Sequence, residues 1–380
     1  MTVDKLQDMQ RKGIGMSDYR YLFEPMDFAG YRLKNRICVP PLVAYSWSDE
    51  KGHVTDKHVR HYHELVHGGA GLVRQEATCV SETGRITLDQ LGIWNDSQKA
   101  GLSRIKDVFK EAGMPAIIQL SHAGYLSKVP EDRVGPVDCE FSLNGEQFGG
   151  RALETDEIHT IERQFIDAAE RAYDTGYDGV ELHACHGYLL SQFMNRRVNT
   201  RKDEYCASDN LMISNIIEGI RRTTSPDFMI GVRLGVFEPD LETGLKNAVW
   251  LESKGIAYID AYYGCDWYSE PQAPEGFGHA SCSYAAGKVK EVVSIPVFSG
   301  YGIRTGEQAE AVLRDTGIDM IVAGRAHLVN ESWGRYVHDG LDPGTCFECA
   351  VCRWKVDPET CPGRVKLRRE TEKISRRGDE

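Results

Sequence analysis

Several absences narrow the field before any motif is read. No apolar run is long enough to span a bilayer, and the opening MTVDKLQDMQRKGIGMSDYRY is polar and charged, without the apolar core of a signal peptide. A soluble, cytoplasmic protein is expected. No tract of lysine or arginine precedes the C-terminus and the net charge is −12, which disfavours nucleic acid and anionic membrane surfaces as partners. No G-x-G-x-x-G follows the first strand-like segment, which counts against a doubly wound dinucleotide fold. Nor do eleven cysteines in 380 residues make a disulfide framework, because an odd number, seven of them scattered, suits reduced thiols.

What is present is alternation. Strands are expected over 36–43, 71–78, 116–121, 177–183, 229–234, 256–262, 295–299 and 318–323. The first ends at Pro40 and Pro41, which cannot continue a sheet ladder, so the chain should leave there. Helices are expected over 56–66 after a Thr55 cap, from Asn95 to 112, from the acidic start at Thr155 to Gly176, over 208–222, from a Thr243 cap to 255, near 284–293, and from a Thr305/Gln308 capping box to 314. Residues 124–154 carry glycine and proline with little periodicity and read as a long loop or a small excursion over the site. Eight strands each followed by a helix, several of them apolar on both faces, fit an α/β fold closed as a (β/α)₈ barrel. The expected organisation is an N-terminal extension over 1–20, the barrel over 21–340, and a cysteine-rich extension with a charged tail over 341–380.

Polar residues support closure. Gln119, His122, His183, Arg233, Ser299 and Arg325 all fall at or just past strand ends, the face where such barrels keep their chemistry. The densest stretch is ELHACHGYLL, 181–190, which puts His183, His186 and Tyr188 where the fourth strand should end. Three side chains able to donate hydrogen bonds or protons there suggest a catalytic mouth. Histidines three apart also suit zinc, and two satisfied structural histidines are the plainer alternative.

The C-terminus carries a separate signal. Cys346, Cys349, Cys352 and Cys361 give C-x₂-C-x₂-C-x₈-C, with Pro362 after the last thiol. Four thiolates so spaced can hold a [4Fe-4S] cluster or a zinc ion, or no metal at all. Beyond them, VKLRRETEKISRRGDE reads as a solvated charged tail.

From about Leu22 to Gly340 the chain resembles the Old Yellow Enzyme family of FMN-dependent ene-reductases. The matching stretches are LKNRICVPPLVAYS, LVRQEAT, LGIWND, IIQLSHAG, GYDGVELHACHGYLLSQF, NTRKDEY, GVRL, IPVFSGYGIRTGEQAE and VAGRAHL, in the family's order and at strand ends. The resemblance implies an FMN cofactor with NAD(P)H as electron donor. It places Arg233 at the electron-rich edge of the reduced flavin and Gln119 at the pyrimidine edge. Pro41, Leu42, Val43 and Ala77 would line the ring, with Tyr301, Gly302, Gly324 and Arg325 at the phosphate. For Arg325 a surface salt bridge is the alternative. The resemblance also implies that His183 and His186 hold the acceptor's oxygen, that Tyr188 donates the proton, and that Tyr45 contacts substrate. The expected reaction is reduction of an activated C=C bond in a small molecule. Oxidative demethylation or dehydrogenation on the same flavin is an alternative, as is an electron-transfer subunit working through the cysteines.

Larger relatives, similar to dienoyl-CoA reductase and trimethylamine dehydrogenase, place a four-cysteine cluster just after the barrel, which ranks iron–sulfur ahead of zinc here. Three departures stand out. Val43 replaces a usual thiol or hydroxyl, Tyr125 a basic residue, and Cys206 with Ala207 a glycine pair, so flavin potential, substrate preference and subunit contacts can all differ. Trp267 and Tyr268 shape or cover the pocket. A homo-oligomer is left open.

Overall fold

The computed structural model describes residues 19–143, 145–265 and 271–377, so Trp267, Tyr268 and nearly all of the expected N-terminal extension lie outside it. Eight parallel strand positions form the barrel. They are Ile37–Val39, Leu72–Val73 continued by Gln75–Cys79, Ile117–Ser121, Gly179–Ala184, Met229–Gly235, Tyr258–Tyr262, Val297–Ser299 and Met320–Val322. The second position is broken at Arg74. Its first piece pairs with Ile37–Val39 and its second with Ile117–Ser121, so this one interrupted strand closes the ring. The first strand stops just before Pro40, as a residue without an N–H requires, and 40–43 pass to the barrel mouth.

The helices follow from amphipathic spacing and local caps. In Thr155–Thr175, Ile158, Ile161, Phe165, Ala168 and Ala172 are buried on one face, and Gly176 ends the helix in the left-handed region at φ 93°. Asp56–His67 starts after Thr55, and Gly306–Thr316 carries the expected Thr305/Gln308 capping box. Two starts differ from expectation. Leu211–Thr223 begins after a left-handed Asn210 rather than at Ser208. Leu241–Ser253 is capped by Asp240, whose carboxylate accepts from Thr243 N at 2.9 Å, so Thr243 lies inside the helix it was expected to cap.

Two larger corrections concern segments without periodicity. Residues 124–154 are not a plain loop: Val134–Gly135, Cys139–Leu143 and Glu146–Ala152 form a small three-stranded sheet. Cys139–Leu143 alternates Cys139, Phe141 and Leu143 with Glu140 and Ser142, but over only five residues, and Glu146–Ala152 carries two glycines and no such alternation, so the segment as a whole shows little periodicity. The expected solvated tail is largely the helix Pro362–Arg377, anchored where Arg364 pairs with Glu331 and its Nε donates to Leu328 O at 2.7 Å.

The barrel interior is layered by the two-residue period of its strands. At the floor, Phe28 of the N-terminal hairpin meets Tyr258 and Phe298 at ring distances of 5.5 and 5.7 Å. Tyr258 fits because Gly231 lies opposite, where a Cβ would come within 2.2 Å of the phenol ring. Two residues further along come Glu181, Arg233's partner Asp260 and, from the broken strand, Arg74. Two further still come His183 and Tyr262, at the open end.

Candidate functional site

The main cavity opens at the C-terminal ends of the strands and holds about 270 Å³, close to the lower bound of roughly 300 Å³ for small-molecule sites. Its wall gathers Pro41, Leu42, Val43, Tyr45, Ala77, His183, His186, Tyr188, Arg233, Tyr301, Gly302, Gly324 and Arg325, residues drawn from six separate stretches of sequence. Ala77 reaches the cavity because the second strand carries an extra residue: Gln75 pairs with Ile118 and Ala77 with the next residue, Gln119. The carboxyl of the bulged Glu76 accepts from Ala44 N at 2.8 Å, which ties the 40–45 segment to the same strand. Burial pushes the Glu76 carboxyl up to about 8.

One wall is built by ELHACHGYLL. His183 Nε2 lies 2.8 Å from His186 Nδ1, and the His183 and Tyr188 rings meet edge-on at 4.8 Å. The turn is tight: His186 sits at φ 57° and Gly187 at φ 70°, and Tyr188 then caps Leu189–Met194. Burial, and then the neighbouring Arg233 charge, hold both imidazoles well below their usual range, so both are neutral. Burial likewise pushes the Tyr188 phenol up, so it keeps its proton. His183, Cys185 and His186 bring their ligand atoms within 4.8 Å of one another, the arrangement a metal would use. The guanidinium already facing them opposes a second cation there.

Arg233 stands beside the histidines on the next strand, paired in register with His183 on one side and Asp260 on the other. Its Nε lies 3.1 Å from Asp260 Oδ2, an ion pair whose alignment misses a hydrogen bond, and its guanidinium carbon is 4.4 Å over the Tyr262 ring. Burial is the largest influence and works against the charge, but Asp260, Cys185 and Tyr262 together outweigh it and the pKa rises. Gln119 does not line the cavity. It is fully buried below it, with Nε2 donating to Glu181 at 2.7 Å and Oε1 without a hydrogen-bond partner.

Residues beyond the expected set complete the wall. Arg304 comes from the 295–310 stretch and was legible there as a cation beside Tyr301 and Gly302. Trp354 and Lys355 come from the C-terminal extension, where no periodicity or motif marked them. Lys355 Nζ stands 4.1 Å over the Tyr45 ring. Glu348 pairs with both Arg304 and Arg325, the latter at 2.6 Å, so Arg325 makes the salt bridge held as its alternative while also lining the cavity. None of the described residues of 124–154 lines the cavity, although Leu126 packs in one cluster with Val43, Ala77 and Tyr188.

The four C-terminal cysteines are not drawn together. Cys346, Cys352 and Cys361 pack around Trp354 while Cys349 is exposed, and among the described residues they form no group of three ligand atoms near a common point.

A parallel barrel with a polar, cation-bearing mouth at its C-terminal end has the architecture of the (β/α)₈ barrel enzymes. The chain belongs to the NADH:flavin oxidoreductase / NADH oxidase family, whose model matches residues 21–343. It is 32% identical over 326 residues to an NADPH dehydrogenase of Listeria innocua, spanning 84% of this chain and 95% of that one. Among solved structures, an old yellow enzyme homologue from Zymomonas mobilis superposes with a TM-score of 0.70 at 26% identity, covering 83% of this chain and 91% of that one. A 2-naphthoyl-CoA reductase shares the fold with a TM-score of 0.76 at 23% identity, over 85% of this chain but only 53% of that one. The protein is thus an FMN-dependent NAD(P)H oxidoreductase of the Old Yellow Enzyme type.

Proposed function

We propose that this enzyme reduces an activated C=C bond of a small molecule. The observation that carries the reading is the convergence of His183, His186 and Tyr188 on one wall of the cavity that Arg233 also lines. FMN, when bound, supplies the hydride that NAD(P)H has delivered to it. The chain's residues do the rest. The neutral imidazole pair donates to the acceptor's carbonyl or nitro oxygen, which gains charge as the bond is reduced. Tyr188, protonated because burial raises its pKa, delivers its hydroxyl proton to the carbon that did not take the hydride. Tyr45, which lines the same cavity, contacts the substrate.

The buried polar atoms fit a planar, polar cofactor. Gln119 Oε1 and His183 Nδ1 are buried without hydrogen-bond partners. Arg233 would hold the edge that turns negative on reduction, and Gln119 Oε1 would accept from a ring N–H. Pro41, Leu42, Val43 and Ala77 would flank the ring. Tyr301, Gly302, Gly324 and Arg325, with Arg304, would take the phosphate. Gly302 sits at φ 72°, a conformation that keeps backbone close and costs other residues strain. We assign the barrel to 21–340 and treat 341–380 as an extension that closes one side of the cavity. The cysteines in it would fit an iron–sulfur cluster or zinc only after the 341–352 segment, which carries no helix or strand, draws its sulfurs together. No step is routed through them.

Tyr188→Phe tests the reading. Reduction of an alkene acceptor should fall by roughly 10²–10⁴-fold, the usual worth of a positioned acid, while flavin reduction by NADPH continues. Intact alkene reduction would sink it.

A further inference from the structure

Below the histidine wall, the barrel interior contains four buried ionisable groups, Arg74, Glu181, Arg233 and Asp260. Arg74 is fully buried. Its two terminal nitrogens reach Glu181 Oε2 and, at 2.7 Å, Asp260 Oδ2. Asp260 Oδ2 also lies 3.1 Å from Arg233 Nε, an ion pair without a hydrogen bond. Glu181 takes further hydrogen bonds from Tyr258 Oη at 2.9 Å and Gln119 Nε2 at 2.7 Å. Two cations and two carboxylates make a quartet that is neutral as a whole, and only one of its members, Arg233, touches the cavity.

The placement follows from the strand period. Glu181 lies two residues before His183 and Asp260 two before Tyr262, so each carboxylate sits one layer beneath a cavity residue on its own strand. Arg74 stands at the break in the second strand, and its guanidinium carbon is 5.9 Å over the Phe298 ring that forms the floor. Burial leaves these charges weakly screened. A carboxylate 3.1 Å from Arg233 therefore offsets much of the field that guanidinium presents to its other side.

We propose that Asp260 is a positioning residue that sets how much of Arg233's positive charge reaches the flavin, with Arg74 in turn drawing on Asp260. The device gives the enzyme a flavin potential lower than a lone arginine at that edge would produce, because the reduced, more negative ring is stabilised less. Arg74 and Arg233 share one carboxylate oxygen, so a change at either cation is passed to the other through Asp260. The inference rests on the placement of FMN against Arg233 proposed above.

The experiment is a pair of midpoint potentials measured on FMN-loaded protein. Asp260→Asn removes the counter-charge with little change of shape. It should shift the two-electron potential upward by at least tenfold in the ratio of reduced to oxidised flavin, about 30 mV. Arg74→Met leaves Asp260 wholly to Arg233 and should shift the potential downward. Opposite signs separate an electrostatic role from a structural one, which would move both variants alike or neither. Should Asp260→Asn not accumulate, Glu181→Gln removes a carboxylate bound to the same Arg74; Asp260 is then held more by Arg74, and the potential should rise. Equal potentials in the variants and the parent, or shifts of one sign for Asp260→Asn and Arg74→Met, overturn the inference. Arg233→Met is the control for the underlying placement. If it alters neither FMN affinity nor potential, the flavin is not against Arg233 and the earlier reading fails; if it alters them and Asp260→Asn does not, only this inference fails.

Discussion

His183 Nε2 and His186 Nδ1 lie 2.8 Å apart and share one proton. Both rings are neutral, so each carries a single N–H, and the shared contact uses one of the two. If His183 donates, the remaining N–H is on His186 Nε2; if His186 donates, it is on His183 Nδ1, which is buried without a partner. The pair therefore works as one donor unit, with the second imidazole fixing the tautomer of the first.

A shared donor predicts losses that do not add. His183→Ala and His186→Ala should each lower kcat/KM for an alkene acceptor by roughly 10²-fold, the scale of one lost donor at a developing oxyanion. The double variant should be little worse than either single one. Steady-state kinetics with one acceptor checks this, and multiplicative losses would show two independent donors instead.

Acid should unfold this enzyme readily. Burial holds His58 and His61 at about 3 and His122 and His327 at about 4, with His183 and His186 also well below their ordinary value of 6.5. Groups depressed on folding contribute stability that is present above pH 6.5 and lost as pH falls, because the unfolded chain takes up protons that the folded one refuses. Glu76 and Glu238, raised to about 8 and about 7 by burial, act in the opposite sense. Glu162 is also raised by burial, and six imidazoles against three carboxyls leave a net loss below pH 6.5. Urea midpoints measured from pH 6.5 down to 5 should fall steadily, and a flat or rising series in that window would contradict the assignment.

Glu348 competes for the cations that a phosphate would need. Arg304, and then Arg325, hold its carboxyl below the usual range, and both arginines line the cavity. The pairs are solvent-exposed and individually weak, so the expected effect is modest. Glu348→Gln should tighten FMN binding a few-fold, read from quenching of flavin fluorescence on titration. Equal or weaker affinity would mean that the arginines are not at the phosphate.

Much of this site was readable because its parts lie at strand ends. Pro40 and Pro41 marked where the first strand leaves the sheet, and ELHACHGYLL placed two imidazoles and a phenol at the end of the fourth. The small sheet over 134–152 was missed because only the five residues Cys139–Leu143 alternate, and their partner Glu146–Ala152 is broken by two glycines. So was the helix Pro362–Arg377, whose charged sequence resembles a tail until Arg364 is seen against Glu331. Gln119 illustrates the middle case: its strand was legible, but that its amide donates to Glu181 and leaves Oε1 without a partner was not, because Glu181 lies on a different strand.

By itself the sequence determined the order of strands and helices, the parallel barrel they imply, and which residue types stand at the strand ends, because these depend on periodicity, caps and prolines within a few residues of one another. Only the tertiary structure decided what meets across the barrel. Arg74, Glu181, Arg233 and Asp260 come from four strands separated by up to 186 positions, and Glu348 and Lys355 reach the mouth from beyond the last barrel helix. Such contacts are set by strand register and barrel closure, and local sequence rules carry no information about either.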